Sequence, residues 1–250
     1  MPHVTLCGIV SRYVNYRESD RIISLLTAEL GRVDAKARGC QRVTSPLLPA
    51  AQPFVYGRYE LFYSRDKYTV NQCELLETFF PLREDYARYE AASIALQLSH
   101  DAMQENQTNE ALFSLLYHAL TFWSYGESNS YDLLCCFFIR YLNVCGFRPA
   151  ITHCMQCGRD IRGDSRVLFS LFGGAVCADC GGGREISKTA LEALRRMLLL
   201  SDNEIDRVRL SARLRRELAL CLSDYLRHTM DHASRALNSL NIATISDAQM

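Results

Sequence analysis

Apolar positions over the first eighty residues recur at every second place. In RVDAKAR (32–38), Val33, Ala35 and Ala37 alternate with Arg32, Asp34, Lys36 and Arg38. Strand side chains point alternately to the two faces of a sheet, so this segment predicts a strand with one apolar and one charged face. Leu30-Gly31 predicts a turn from the preceding strand, DRIISLLT (20–27). FVYGRYELFYS (54–64) is rich in aromatic and β-branched residues, with Gly57 as a bulge or close-approach point. SRDK (64–67) then turns the chain into YTVNQCELLE. About five strands in this span predict a small closed barrel. RGCQRVTSPLLPAAQP (38–53) is its long internal connection.

Pro81 marks a change of period. Leu112, Leu115, Leu116, Ala119, Leu120 and Trp123 fall on one helical face. Leu134, Phe137, Phe138, Tyr141, Leu142 and Cys145 repeat the same template. EAASIALQL (90–98) predicts a further helix, Ser187 caps another over KTALEALRRMLLL, and a long helix is expected over 210–237. There is no internal repeat. The expected division is 1–80 for the barrel and 81–250 for the helices, with a cysteine module inserted at about 150–185.

That module is the clearest chemical signal. Cys154-x-x-Cys157 and Cys177-x-x-Cys180 are separated by 19 residues, a spacing usual for zinc. Each knuckle points two thiolates at one ion, and two knuckles complete a tetrahedron. The chain between them, RVLFSLFGGAVC, predicts a short hairpin turning at Gly173-Gly174. The alternatives are four unrelated reduced thiols or a redox pair, although no thioredoxin-like βαβ pattern surrounds the motif. Four thiolates leave no open position, so the expected zinc is structural, one per chain, and does not activate water. His153, beside Cys154, is expected to be a neighbour rather than a ligand.

Composition narrows the rest. The chain has 250 residues, 48% of them hydrophobic, and a formal net charge of zero. No global field draws it to nucleic acid or membrane, so any such binding needs a local patch. Eleven cysteines, mostly scattered, suit a reducing compartment better than a disulfide framework. No signal peptide or spanning segment is evident, so a soluble cytoplasmic protein is expected. Walker loop, GxGxxG, GxSxG and deaminase H-x-E signatures are missing from the sequence. The candidate patch is Arg32, Lys36, Arg38 and Arg42, with Arg12 and Arg58 able to join it and Tyr13, Tyr56 and Tyr59 as stacking surfaces. The bland reading is a solvated strand face.

The ordered motifs resemble the bacterial RecO family. They are Gly8-Ile9-Val10, then Tyr16, Glu18, Asp20 and Ile22, then Leu25-Leu26-Thr27, Leu30-Gly31, Ala37-Arg38-Gly39 and Gln52-Pro53-Phe54. FFIRYLNVCGFRPAITHCMQCG is similar to that family's helix, turn and first knuckle, and FGGAVCADCGGG to its second. The resemblance runs nearly end to end.

It implies an α+β multi-domain protein: an N-terminal five-stranded OB-fold barrel, then an all-α domain carrying the four-cysteine module. It also implies a nucleoid-associated recombination mediator rather than an enzyme. Such a protein binds single- and double-stranded DNA, anneals complementary strands and helps load RecA onto DNA coated by single-strand-binding protein. Its implied partners are RecR, RecF and the acidic tail of that coating protein. A tail site needs an apolar groove with a basic rim, for which Arg140 and Arg148 are the candidates, while Phe137, Phe138 and Tyr141 belong to the core. One departure matters. After Ala37-Arg38-Gly39 many members continue with a basic run, whereas here only Arg42 is basic within Cys40–Pro46. Weaker DNA binding with a flatter salt dependence is expected. The competing reading is a zinc-stabilised protein adaptor.

Overall fold

The computed structural model describes residues 3–240 and 245. Five strands form a barrel: β1 (His3–Tyr16), β2 (Asp20–Thr27), β3 (Gly31–Ala37), β4 (Tyr56–Ser64) and β5 (Lys67–Glu77). They close in the order β1-β2-β3-β5-β4, with β3 and β5 parallel and the other pairs antiparallel. This arrangement is consistent with an OB-fold. Closure removes the free edges that an open sheet would expose.

Alternation sets which side chains fill the barrel. Val33, Ala35 and Ala37 point inward with Val10, Ile23 and Leu25. Ile9 and Leu26, one residue along from Val10 and Leu25, point outward into the helical core. The apolar runs of β1 and β2 are unbroken there because both faces are covered. Gly57 lies at a register shift between β4 and β5. A Cβ there would stand 2.7 Å from Cys73 Sγ, so the position requires glycine. The 64–67 turn forms as expected, with Arg65 and Asp66 both at positive φ. The connection after β3 carries one short helix, α1 (Leu47–Ala50).

Beyond a 3₁₀ turn at Phe80–Glu84, helices α2 (Tyr86–Ala102), α3 (Glu110–Tyr125) and α4 (Ser130–Val144) pack together. All six apolar positions predicted for α3 are buried. Helix α4 is buried almost all round, as expected for the central element of a bundle. Asp85, Asn109 and Asn129 cap the three N-termini with side-chain acceptors. Helix α5 (Lys188–Leu199) starts at Ser187, whose hydroxyl accepts from the Ala190 N–H at 3.1 Å.

The long helix expected over 210–237 is instead broken. Helix α6 covers Ala212–Thr229, Met230 leaves the helical region, and α7 resumes at Ala233–Ala236. The break lets Met230, Ala233 and Leu237 all turn into the core. Asp132 on α4 and Arg215 on α6 form a buried ion pair, and Asp132 also accepts from the Leu210 N–H. Arg215 further donates to the Ile245 carbonyl. No helix among the described residues is long and apolar enough to cross a membrane.

Candidate metal centre and nucleic-acid interface

Between α4 and α5 a small sheet of order β7-β6-β8 is formed by β6 (Val167–Ser170), β7 (Gly174–Cys177) and β8 (Arg184–Ile186). The predicted hairpin is present, but its turn is Leu171–Gly173, with Gly174 already paired to Ser170. The third strand, β8, was not anticipated: three residues carry too little pattern to announce one. Two matching knuckles face each other. Gly158 N–H donates to the Cys154 carbonyl at 2.9 Å, and Gly181 N–H to the Cys177 carbonyl at 3.2 Å. Gly158 and Gly181 take φ of 73° and 68°, the left-handed turn that glycine permits.

The four Sγ atoms of Cys154, Cys157, Cys177 and Cys180 all lie within 4.8 Å of one another. Tetrahedral zinc at about 2.3 Å from each thiolate requires sulfurs about 3.8 Å apart. The Cys157–Cys177 pair is at 3.8 Å. Burial pushes the Cys154 thiol up, but the backbone N–H groups of Cys157, Cys177 and Gln156 outweigh it and hold the thiol at about 6. By the number, identity and spacing of its sulfurs the donor set fits a thiophilic divalent ion. His153 is turned away, with Nδ1 2.9 Å from the Thr152 hydroxyl. Arg195 on α5 fixes the module by donating to the Ile151 carbonyl at 2.6 and 3.0 Å.

On the barrel, a cleft of about 860 Å³ runs between β3 and the β4–β5 turn. Six cations line it: Arg17, Arg32, Lys36, Arg38, Arg65 and Lys67. Tyr16, Phe62 and Tyr68 supply aromatic surface, while Asp34, Asp66 and Glu105 oppose the charge. A groove that is both basic and aromatic suits a flexible polyanion with stacking bases.

Three of the six expected patch residues line this groove, in different states. Arg38 is exposed. Lys36 is half-buried, 2.9 Å from Asp20 and over the Tyr16 ring at 4.7 Å. Asp20 is held below the usual carboxylate range by the Gly39 N–H first and by Lys36 second. Arg32 donates to the His100 carbonyl at 3.3 Å. Arg42 and Arg12 are exposed but do not line the groove. Arg58 also lies outside it, paired to Glu74 at 2.6 Å.

Of the expected stacking residues, Tyr59 and Tyr56 are corrected, while Tyr13 is exposed but lies outside the groove. Tyr59 is fully buried, its hydroxyl donating to the Ala50 carbonyl at 2.7 Å. Tyr56 packs on Tyr117 and Phe113 of α3. Tyr13 lies under the Arg21 guanidinium at 3.8 Å. The missed groove residues, Arg17, Arg65, Lys67, Tyr16 and Tyr68, sit in or beside the two hairpin turns. The strings YRES and SRDKY show cations next to aromatics at turns, a signal available from sequence. Arg140 is also corrected. It is largely buried, and its guanidinium is taken up by Asp202 and the Leu200 carbonyl, so it is no free rim charge. Arg148 is exposed beside half-exposed Phe147.

The chain thus combines a barrel that carries a basic, aromatic groove with a helical body that carries a four-thiol cluster. Comparison with known proteins names the family. The recombination protein O N-terminal domain matches residues 1–79, and its C-terminal domain matches residues 83–238. The chain is 36% identical over 228 residues to DNA repair protein RecO of Symbiobacterium thermophilum, covering 88% of this chain and 89% of that one. It is 32% identical over 240 residues to DNA repair protein RecO of Alkaliphilus metalliredigens, covering 94% and 96%. The protein of the same name from Pelotomaculum thermopropionicum is 34% identical over 236 residues, covering 93% and 90%. The chain belongs to the RecO family of bacterial DNA repair proteins.

Proposed function

We propose that this chain is a recombination mediator that holds single-stranded DNA in the barrel groove and anneals it to a complementary strand. The observation that carries the reading is the run of cations and aromatic rings along one cleft of the barrel. Phosphates held by Arg38, Arg65 and Lys67 would leave base edges free, and local cations would reduce the repulsion between two polyanions. No bond is broken in this step. The same reading has the protein act with RecR, and with RecF, to load RecA onto DNA coated by single-strand-binding protein. Arg148 beside Phe147 is the remaining candidate for contact with that protein's acidic tail, through charge and an apolar anchor.

The four-cysteine cluster is assigned to structural zinc. Bound there, the ion supplies cross-linking between the two knuckles and no open coordination site. Separately, Arg195 ties the module to α5 by donating to the Ile151 carbonyl.

The adaptor reading draws support from Lys36, Arg32 and Arg58, which already have partners within the protein. Anisotropy on labelled single-stranded DNA separates the two readings. Binding that Arg38→Glu, Arg65→Glu, Lys67→Glu strongly weakens supports the mediator. No binding by the folded, zinc-loaded chain supports the adaptor.

A further inference from the structure

A second cleft, of about 490 Å³, lies between the outer end of the β6–β8 sheet and α6, and it shares no lining residue with the barrel groove. Its walls include Phe169, Ile186 and Cys221. Phe172, at the tip of the β6–β7 turn, overhangs it and is 77% exposed, its ring edge-on to His228 at 4.6 Å. A large aromatic left in water beside an apolar hollow marks an interaction surface.

Charge says what kind of molecule fits. Glu185, Glu217 and Asp224 line the cleft against a single arginine, Arg184. Glu185 also reaches Arg166 at 3.2 Å, and Asp224 reaches Arg227 at 3.6 Å, both outside the cleft. Such solvent-exposed pairs are weak and can be exchanged for a partner's cation. Glu217 has no cationic partner among the described residues. Its oxygens accept from the Ser187 N–H at 2.6 Å and the Ser187 hydroxyl at 2.8 Å. An anionic ligand, whether DNA or an acidic peptide, meets like charge here.

We propose that this cleft docks a basic segment of a partner protein, with a Leu or Phe side chain entering the hollow and flanking Lys or Arg meeting the carboxylates. The molecule then carries two surfaces of opposite selectivity: the barrel groove for polyanions and this cleft for cationic apolar peptides. The inference does not rest on DNA being the groove's ligand.

The test uses the full zinc-loaded chain and two short labelled peptides sharing a Leu-Phe core, one flanked by lysines and one by aspartates. Anisotropy should give at least about ten-fold tighter binding of the lysine peptide. Cys221→Trp, which fills the hollow, should weaken it by about ten-fold or more. Glu185→Lys with Asp224→Lys, both at surface positions, should reverse the preference even if Cys221→Trp does not fold. Thermal unfolding checks each variant. Failure of the lysine peptide to bind, equal binding of both peptides, or indifference to the charge reversal overturns the proposal. So does a homodimer in sedimentation that the charge reversal dissolves, because the occupant would then be a second copy.

Discussion

The salt dependence of DNA binding follows from which groove cations are free. Of the six, Lys36 is held by Asp20 at 2.9 Å and Arg32 by the His100 carbonyl at 3.3 Å. Arg17, Arg38, Arg65 and Lys67 have no ion pair among the described residues. Binding to single strands loses affinity with a log–log slope of about −0.7 per phosphate neutralised, so four contacts give about −3. Between roughly 50 and 200 mM salt that is about a 50-fold loss, whereas six contacts would give about 340-fold. The triple variant Arg38→Glu, Arg65→Glu, Lys67→Glu leaves Arg17 alone and should flatten the slope to about −0.7. The assay is fluorescence anisotropy of labelled oligothymidine across a salt series, at one pH and temperature. A slope steeper than about −4, or a triple variant with the native slope, would refute this placement of DNA.

Three further outcomes follow from the geometry. Mass spectrometry should find one zinc per chain, and Cys157→Ser or chelation should lower the Tm and open the segment from Cys154 to Cys180 to protease, since structural zinc contributes about 10–16 kcal/mol in small zinc domains. An unchanged Tm in metal-free protein would remove the clamp. Arg215→Ala strands Asp132, 2% exposed, without its cation and should cost about 3–5 kcal/mol in urea unfolding; a loss under about 1 kcal/mol would contradict the pairing. His100 lies between barrel and helices with Nδ1 2.8 Å from the Ser11 hydroxyl, and burial, with Arg12 and Arg32 nearby, lowers its pKa from 6.5 to about 4. The unfolded chain therefore binds the extra proton first, and stability should fall as pH drops from 6.5 towards 4. His100→Gln should flatten the urea midpoint over that window, and an equally steep dependence in the variant would place the titrating group elsewhere.

Much of the architecture was legible in local pattern. The period-two run 32–38 became β3, the six apolar positions of 112–123 became the buried face of α3, and Ser187 became a cap. Each CxxC knuckle formed because its turn is local and glycine-permitted. These features depend on neighbours a few residues apart, so the amino-acid order alone determines them.

Tertiary structure decided which charged and aromatic groups are free. The alternation of β3 put Lys36 outward, but only β2, bringing Asp20 within 2.9 Å, made it a paired charge. Tyr59 and Tyr13 look alike as sequence, yet barrel closure buried the first completely and left the second under Arg21. Arg140 sits on the polar edge of a helix pattern until the turn at Asp202, sixty-two residues later, folds over it. Groove composition, likewise, depends on two hairpin turns meeting β3. Burial and pairing depend on what the chain brings near from far away in sequence, and a periodic pattern carries no record of that neighbour.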